Sequence, residues 1–458
     1  MPSDLSMFFE PSSIAIVGAT DDPLKFGHEV TKNIVQSTKN AEKPPQIIPI
    51  NPKKEKIMGF QAFPSLKDYG KPVDLVIVLV PKKAVRAVVE DALEIGTRGI
   101  IIVTAGFGEY NEEGKKEEQY LVNIAKKRNT RIIGPNCVGI VNTRIPLNAS
   151  FIITPPKGNI AMISQSGSMG AALIYSGIPL GLFANIGNQA DVTETEVLEY
   201  FLSLNDINVV GLYLETLKEP RKFYETIKNS SKPVVVLKSG RTSQGAKSAA
   251  SHTGSIATSQ VAFEAAIKQA HQFLSLNELE FLSMLRVLSK YYPIENPKIG
   301  IITNAGGPAV TLSDLLAEAE ITLGELTKKT KEKIASQFPP LVKPNNPMDI
   351  IASAREEDYY KATKAFLEDP NIDILIPICV VPTFLEMKPE EHMRGVLRAI
   401  KDTNTKKPVL PVWLSGEIAK IGRELSEKEG IPSFGTLPEV VYAVKTLYRK
   451  KLFSNDEK

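Results

Sequence analysis

Ser13-Ile-Ala-Ile-Val-Gly18, running on into Ala19-Thr-Asp-Asp-Pro-Leu-Lys-Phe-Gly27, is the stretch that decides the fold. A short apolar run with no polar alternation ends in glycine, and a helical pattern follows. Such a run is buried on both faces, as in a parallel sheet covered by helices on each side. The theme recurs at Gln46-Ile-Ile-Pro-Ile50, Asp74-Leu-Val-Ile-Val-Leu-Val80, Gly99-Ile-Ile-Ile-Val103 and Arg131-Ile-Ile133. Together these strands fit one doubly wound domain over residues 1–150.

The pattern then restarts twice. Ile160-Ala-Met-Ile-Ser164, Asn208-Val-Val-Gly-Leu-Tyr-Leu-Glu215 and Lys232-Pro-Val-Val-Val-Leu-Lys-Ser-Gly240 form one set. Ile299-Gly-Ile-Ile-Thr303, Asn371-Ile-Asp-Ile-Leu-Ile376 and Lys407-Pro-Val-Leu-Pro-Val-Trp-Leu-Ser-Gly416 form the other, in the same order. We read a diverged duplication, joined through Tyr291-Tyr-Pro-Ile-Glu-Asn-Pro297, with domains at 151–292 and 293–458. The expected fold is α/β, three successive doubly wound domains.

Composition narrows the function. Over 458 residues, Lys plus Arg number 55 against 52 Asp plus Glu, so no basic surplus points to nucleic acid or membrane. Cys137 and Cys379 are the two cysteines, which excludes a disulfide framework and a cysteine zinc cluster. No apolar run is long enough for a membrane span and the N-terminus carries no secretory signal, so a cytoplasmic location is expected.

Three places can carry chemistry. From Ser239 to Ser259, 16 of 21 residues are Gly, Ala, Ser or Thr, which reads as a mobile surface loop around a lone imidazole, His252. That setting suits a travelling nucleophile. Ser164-Gln-Ser-Gly-Ser-Met-Gly170 passes from strand to helix, where backbone N–H groups, Ser166 and Ser168 can hold an anion. Glu215 ends an apolar strand, at the sheet edge where open α/β folds contact ligands.

The first turn lacks Gly-x-Gly-x-x-Gly, because position 20 is Thr, and this disfavours a dinucleotide. Asn51-Pro-Lys-Lys54 offers Lys53 and Lys54 to a phosphorylated ribose instead. Glu109, Glu112 and Glu113 read as solvated turn residues, and His28, His271 and His392 as structural histidines in helical patterns.

Ile16-Val-Gly-Ala-Thr20, Asn51-Pro-Lys53, Val80-Pro81, Gly134-Pro-Asn-Cys-Val-Gly-Ile140, Ser164-Gln-Ser-Gly-Ser168, Gly187-Asn188 and Ser251-His-Thr-Gly254 occur in that order. This set resembles the α subunit of the ADP-forming acyl-CoA synthetases (acetate–CoA ligase, ADP-forming), relatives of succinyl-CoA synthetase. The resemblance implies a Rossmann-like CoA-binding domain followed by two flavodoxin-like domains. It implies interconversion of acyl-CoA, ADP and phosphate with a carboxylate, CoA and ATP, through an acyl phosphate and a phosphohistidine at His252.

Coenzyme A would lie against Gly18, Thr20, Lys25, Gly27, Asn51, Lys53, Val80, Pro81, Thr104, Gly106, Asn136 and Cys137. Ser166, Gly167 and Ser168 would hold the phosphoryl group, and Gly187 and Asn188 the acyl group or carboxylate. Glu215 is expected to orient the imidazole, since a carboxylate fixes its tautomer. No Walker A or ATP-grasp pattern and no acidic pair for Mg²⁺ stands in this chain. The resemblance therefore puts Mg and ADP/ATP on a separate ATP-grasp β subunit, in an α2β2 heterotetramer. Asn188 has no evident partner for a second substrate carboxylate, which favours acetate. The competing readings are a succinyl-CoA synthetase-type subunit, an NAD-dependent dehydrogenase and a non-catalytic CoA sensor. The sensor gives His252 no task, and the dehydrogenase explains only the first domain.

Overall fold

The computed structural model describes residues 4–39, 41–242, 244–245, 260–381, 388 and 390–449. His252 and the Ser251-His-Thr-Gly254 motif lie outside the described residues. Two compact units divide the chain, Met1–Phe281 and Leu282–Lys458.

In the first unit, β1 (Ser13–Val17), β2 (Gln46–Ile50), a small hairpin of β3 (Lys56–Ile57) and β4 (Phe60–Gln61), β5 (Leu75–Val78), β6 (Gly99–Ile102) and β7 (Arg131–Ile133) follow one another. The five longer strands form a wholly parallel sheet in the order β2-β1-β5-β6-β7. Both faces are covered: Ile14 and Ile16 enter one apolar cluster, Ala15 and Val17 another. That two-sided burial is why the strands read as unbroken apolar runs. The order reverses between β1 and β5, so a crevice opens beyond their carboxyl ends.

Gly18 and Gly27 shape that crevice. Gly18 has φ +97°, and a Cβ there would lie 2.8 Å from the Leu79 carbonyl oxygen. A Cβ on Gly27 would lie 2.0 Å from the Gly18 carbonyl oxygen. The helix Phe26–Thr38 thus begins in direct contact with the turn, and neither position accepts a side chain.

A second sheet contains β8 (Gly139–Asn142), β9 (Leu147–Ser150), β10 (Lys157–Ser164), β11 (Leu180–Asn185), β12 (Val209–Leu214), β13 (Val234–Lys238) and β14 (Phe273–Ser275). Its order is β14-β13-β12-β10-β11-β8-β9. The five strands from β10 to β14 repeat the doubly wound order of the first sheet, and β8 and β9 extend the edge antiparallel. Residues 139–150, placed by sequence in the first domain, pair with this second sheet. Asn33 of the first domain ties them back, its Nδ2 donating to the carbonyls of Ser150 and Ile152 at 2.9 and 3.1 Å. One apolar cluster runs through both sheets, from Leu5 to Ala270.

The second unit holds β15 (Ile294–Glu295), β16 (Ile299–Thr303), β17 (Met348–Asp349), β18 (Ile374–Cys379), β19 (Val412–Trp413) and β20 (Tyr448–Arg449). Four of them form a parallel sheet in the order β17-β16-β18-β19, again with the reversal between the first and third strands. A local device also repeats. Gln165, after β10, donates to the Thr216 carbonyl and accepts from the N–H groups of Glu215 and Thr216 beyond β12. Asn304, after β16, donates to the Val380 carbonyl and accepts from its N–H beyond β18. The shared bridge supports the duplication.

His392 lies within a helix, Glu391–Thr403, fully buried between the Cys379 thiol and the Ala354 carbonyl. His28 also lies within a helix. His271, expected in a helical pattern, instead follows the helix Gln260–Gln269 at φ +54°, where the chain turns toward β14.

Candidate functional site

A cavity of 1760 Å³ occupies the first unit where the carboxyl ends of its two sheets meet. It joins both points of strand-order reversal. Gly18, Thr20, Leu79, Val80 and Pro81 come from the first, and Gln165, Ser166, Gly167, Ser168, Glu215 and Thr216 from the second.

At the first end, Lys25, Gly27, Asn51 and Thr104 also line the cavity. Asn51 is held by an Nδ2 bond to the Ala19 carbonyl at 2.8 Å, and Thr104 by an Oγ1 bond to the Val80 carbonyl at 2.7 Å. Leu24, 93% exposed, and Phe26, 66% exposed, stand at the rim, with Phe151 against Phe26 at 5.0 Å between ring centroids. Exposed apolar groups beside a polar cleft suit a ligand with an aromatic part and charged groups.

At the second end the helix Gly167–Tyr175 begins at Ser166, whose Oγ accepts from the Met169 N–H at 3.4 Å. Ser166 Oγ lies 3.2 Å from Ser168 Oγ, and Ser164 Oγ donates to the Ser166 carbonyl at 2.6 Å. The first turn carries no acidic residue, so the amide dipoles of the helix start and two hydroxyls come together there. Glu215, just past the end of β12, lines the same cavity. Behind it the buried Lys238 ammonium donates to the Glu215 and Ser239 carbonyls, both at 2.7 Å. Burial pushes the Lys238 pKa down, against the opposing pull of the Glu215 charge.

Between the two ends stand Asn136, Cys137, Gly187 and Asn188. Cys137 is buried, its Sγ donating to the Ile102 carbonyl at 3.3 Å, and burial pushes its thiol up to about 12. It is a wall residue and not a thiolate.

Sixteen of the residues singled out by sequence line this one cavity; Lys53 and Gly106 do not. Lys53 lies in an exposed turn, its N–H spent on Asn51 Oδ1 at 2.8 Å. Gly106 directs its N–H to the Glu109 carboxylate. Glu109 is itself a correction to the sequence reading. It lines the cavity and accepts from the Phe107 N–H and Asn188 Nδ2, whereas Glu113 is exposed as expected and Glu112 lies exposed at the cavity edge. Sequence reasoning also missed Glu118, Gln165 and Lys218 among the lining residues. Desolvation holds the Glu118 carboxyl above the ordinary range, against its bonds from Asn188 and Gly108. Among the described residues no group of three or more His, Cys, Asp and Glu is placed to hold a metal, and no helix is long and apolar enough to cross a membrane.

Comparison with known proteins accords with this geometry. A CoA binding domain model matches residues 12–143, a succinyl-CoA ligase like flavodoxin domain 157–288, and a ligase-CoA domain 299–447. The chain is 43% identical to the α subunit of acetate–CoA ligase [ADP-forming] II of Pyrococcus furiosus, over 97% of this chain and 98% of that one. It is 37% identical to acetate–CoA ligase [ADP-forming] of Methanocaldococcus jannaschii, spanning 99% of this chain but 64% of that one. Among solved structures, the Ca. Korarchaeum cryptofilum dinucleotide-forming acetyl-coenzyme A synthetase 1, with phosphate and ADP, superposes with TM-score 0.86 at 31% identity. The match covers 97% of this chain and 96% of that one.

Fold, cavity and domain matches define an α/β ligase chain that binds coenzyme A. Within that class, the chain belongs to the ADP-forming acetate–CoA ligase family, as a relative of its α subunits.

Proposed function

We propose that this chain is the α subunit of an ADP-forming acyl-CoA synthetase acting on acetyl-CoA in the cytoplasm. The observation that carries the reading is the single cavity linking the Gly18–Gly27 turn to the Ser166–Ser168 helix start. Coenzyme A lies along the first sheet's carboxyl ends, its phosphates near Gly18, Lys25 and Asn51. Its thioester reaches Asn136 and the Ser166 turn, where phosphate is held.

A phosphate oxygen attacks the thioester carbonyl, the C–S bond breaks, and acetyl phosphate and CoA form, the thiolate taking up a proton. An imidazole nitrogen of His252 then attacks phosphorus, and acetate leaves with the bridging oxygen. Finally the ADP β-phosphate oxygen attacks the phosphohistidine, the N–P bond breaks, and ATP forms. These steps need positioning and charge stabilisation, which a helix N-terminus and two serine hydroxyls supply. Glu215 orients the imidazole and stabilises its positive charge after phosphorylation. The domains 1–150 and 151–292 take CoA and phosphoryl handling in turn, with the strands of 139–150 joining the second sheet, and 293–458 is the third layered domain.

ADP and Mg²⁺ belong on an ATP-grasp β subunit, in an α2β2 complex. The Pyrococcus furiosus relative, named as a subunit alpha and matched over 98% of its length, supports a division of this activity between two chains. The test is ATP formation from acetyl-CoA, ADP and phosphate. The chain with its ATP-grasp partner makes ATP, and the chain alone binds CoA but makes none. ATP made by the chain alone would refute the division of labour.

A further inference from the structure

Asn188 follows β11, in the turn from the second sheet, and its side-chain amide is fully committed. Its Nδ2 donates to a Glu109 carboxylate oxygen at 2.5 Å and to Glu118 Oε2 at 3.0 Å, and its Oδ1 accepts from Asn136 Nδ2 at 3.3 Å. Both carboxylates are also tied to the turn after β6: Glu109 accepts from the Phe107 N–H at 3.1 and 3.2 Å, and Glu118 Oε2 from the Gly108 N–H at 3.0 Å. The backbone agrees. The Asn188 N–H donates to the Pro135 carbonyl at 3.0 Å, and a Cβ on Gly187 would lie 2.3 Å from that same oxygen.

The chemistry of the donors fixes every orientation in this chain of contacts. An ionised carboxylate only accepts hydrogen bonds, so Asn188 must turn its NH₂ toward Glu109 and Glu118. Its carbonyl oxygen must then face Asn136, which must answer with its own NH₂. Asn136, at φ +57° and exposed, is the member of the chain that meets the ligand. Asn188 has no donor left for a substrate.

We propose that Glu109 and Glu118 are positioning residues which, through Asn188, set the orientation of the Asn136 amide against the thioester end of the ligand. The role rests on the acyl-CoA ligase reading; the hydrogen-bond lock itself does not. It also reassigns Asn188, expected from the resemblance to contact the acyl group, to a bracing part.

The two carboxylates respond differently to the same substitution. Glu109 uses both oxygens, one toward Gly106 and one toward Asn188, with Phe107 between. Glu109→Gln therefore aims an NH₂ at another donor, whichever way it is turned. Glu118 takes Gly108 and Asn188 on the single oxygen Oε2. The amide oxygen of Glu118→Gln can accept both bonds, whereas Glu118→Ala removes them.

The test compares Glu109→Gln, Glu118→Gln and Glu118→Ala in the complex with the ATP-grasp subunit, reading kcat, KM for CoA and the thermal midpoint. Glu109→Gln and Glu118→Ala should lower kcat about 10-fold or more with KM for CoA changed less than about 3-fold, because misplacing a positioning group affects the chemical step more than binding. Glu118→Gln should recover most of the rate that Glu118→Ala loses, and melt above Glu109→Gln. Equal rates and midpoints for the two glutamine variants would overturn the proposal. A wild-type complex that forms no ATP would instead overturn the ligase reading, and the difference in melting between the glutamine variants would still decide the lock.

Discussion

Gln165 grips the main chain of Glu215: its Oε1 accepts from the Glu215 N–H at 2.5 Å and the Thr216 N–H at 2.9 Å, and its Nε2 returns a bond to the Thr216 carbonyl at 2.6 Å. Gln165 immediately precedes Ser166. The residue before the Ser166 helix start thus fixes the main chain that carries Glu215, and both line the same cavity.

Removing that grip should loosen Glu215 without touching the CoA end. On the proposed mechanism, Gln165→Ala is expected to slow phosphorylation of His252 by about 10-fold or more, since it leaves the half-buried Glu215 and Thr216 N–H groups without their partner and the Glu215 main chain unfixed. CoA affinity measured by calorimetry should stay within about 2-fold, as no contact there is lost. Equal phosphorylation rates would show that the bridge serves folding only.

Ser166 and Ser168 separate two effects that share one helix start. Ser166→Ala removes an N-cap and, in the proposed mechanism, a phosphate donor, and the lost cap costs about 1 kcal/mol, roughly 2–3 °C in a domain of this size. Ser168→Ala removes a donor alone. Both should raise KM for phosphate about 5-fold or more, with the thermal midpoint falling only for Ser166→Ala. An unchanged KM in both variants would place phosphate elsewhere.

Much of this architecture is legible in the chain, for physical reasons that differ by residue. Gly18 and Gly27 read as a strand-to-helix turn because no side chain fits either position. The repeated Asn-headed and Lys-Pro-Val strands announce the duplication because their apolar residues are buried: β12, β13 and β18 lie inside their sheets, and β19, at the end of its sheet, is buried as well. Gly139-Ile-Val-Asn142 escapes notice as a strand of the second sheet, being short and paired antiparallel to a strand about 40 residues further on. Glu109 and Glu118 look like solvent-facing charges, since nothing local reports that the 104–108 turn and Asn188 converge on them. Their role exists only in the tertiary contact.

Glu194 makes stability depend on pH. It is fully buried, accepts from the Lys218 N–H at 3.2 Å through Oε1, and has no partner for Oε2, so desolvation holds its carboxyl above the ordinary range. Above the usual carboxylate pKa the unfolded chain has released this proton and the folded state still holds it, so the contribution of Glu194 to stability falls as pH rises through that window. Glu194→Gln should gain on wild type in urea melts as pH rises above the ordinary carboxylate range. Parallel pH dependence of the two proteins would exclude this source.

Cys137 should be inert despite its place on the cavity wall. With its thiol pushed up to about 12 and bonded to the Ile102 carbonyl, it presents almost no thiolate at neutral pH. Cys379 is likewise buried. Iodoacetamide should leave the native mass unchanged and add two labels after unfolding in urea. Rapid native labelling at Cys137 would contradict the buried assignment.

The most direct test of the central claim is the phosphorylation state of His252. The chain, its ATP-grasp partner and Mg-ATP would be combined, and the product read by mass spectrometry at alkaline pH, where phosphohistidine survives. The expected result is one acid-labile phosphoryl group on His252, discharged by acetate and CoA and absent in His252→Ala. An unmodified His252 in a complex that still forms acetyl-CoA and ADP would contradict the account.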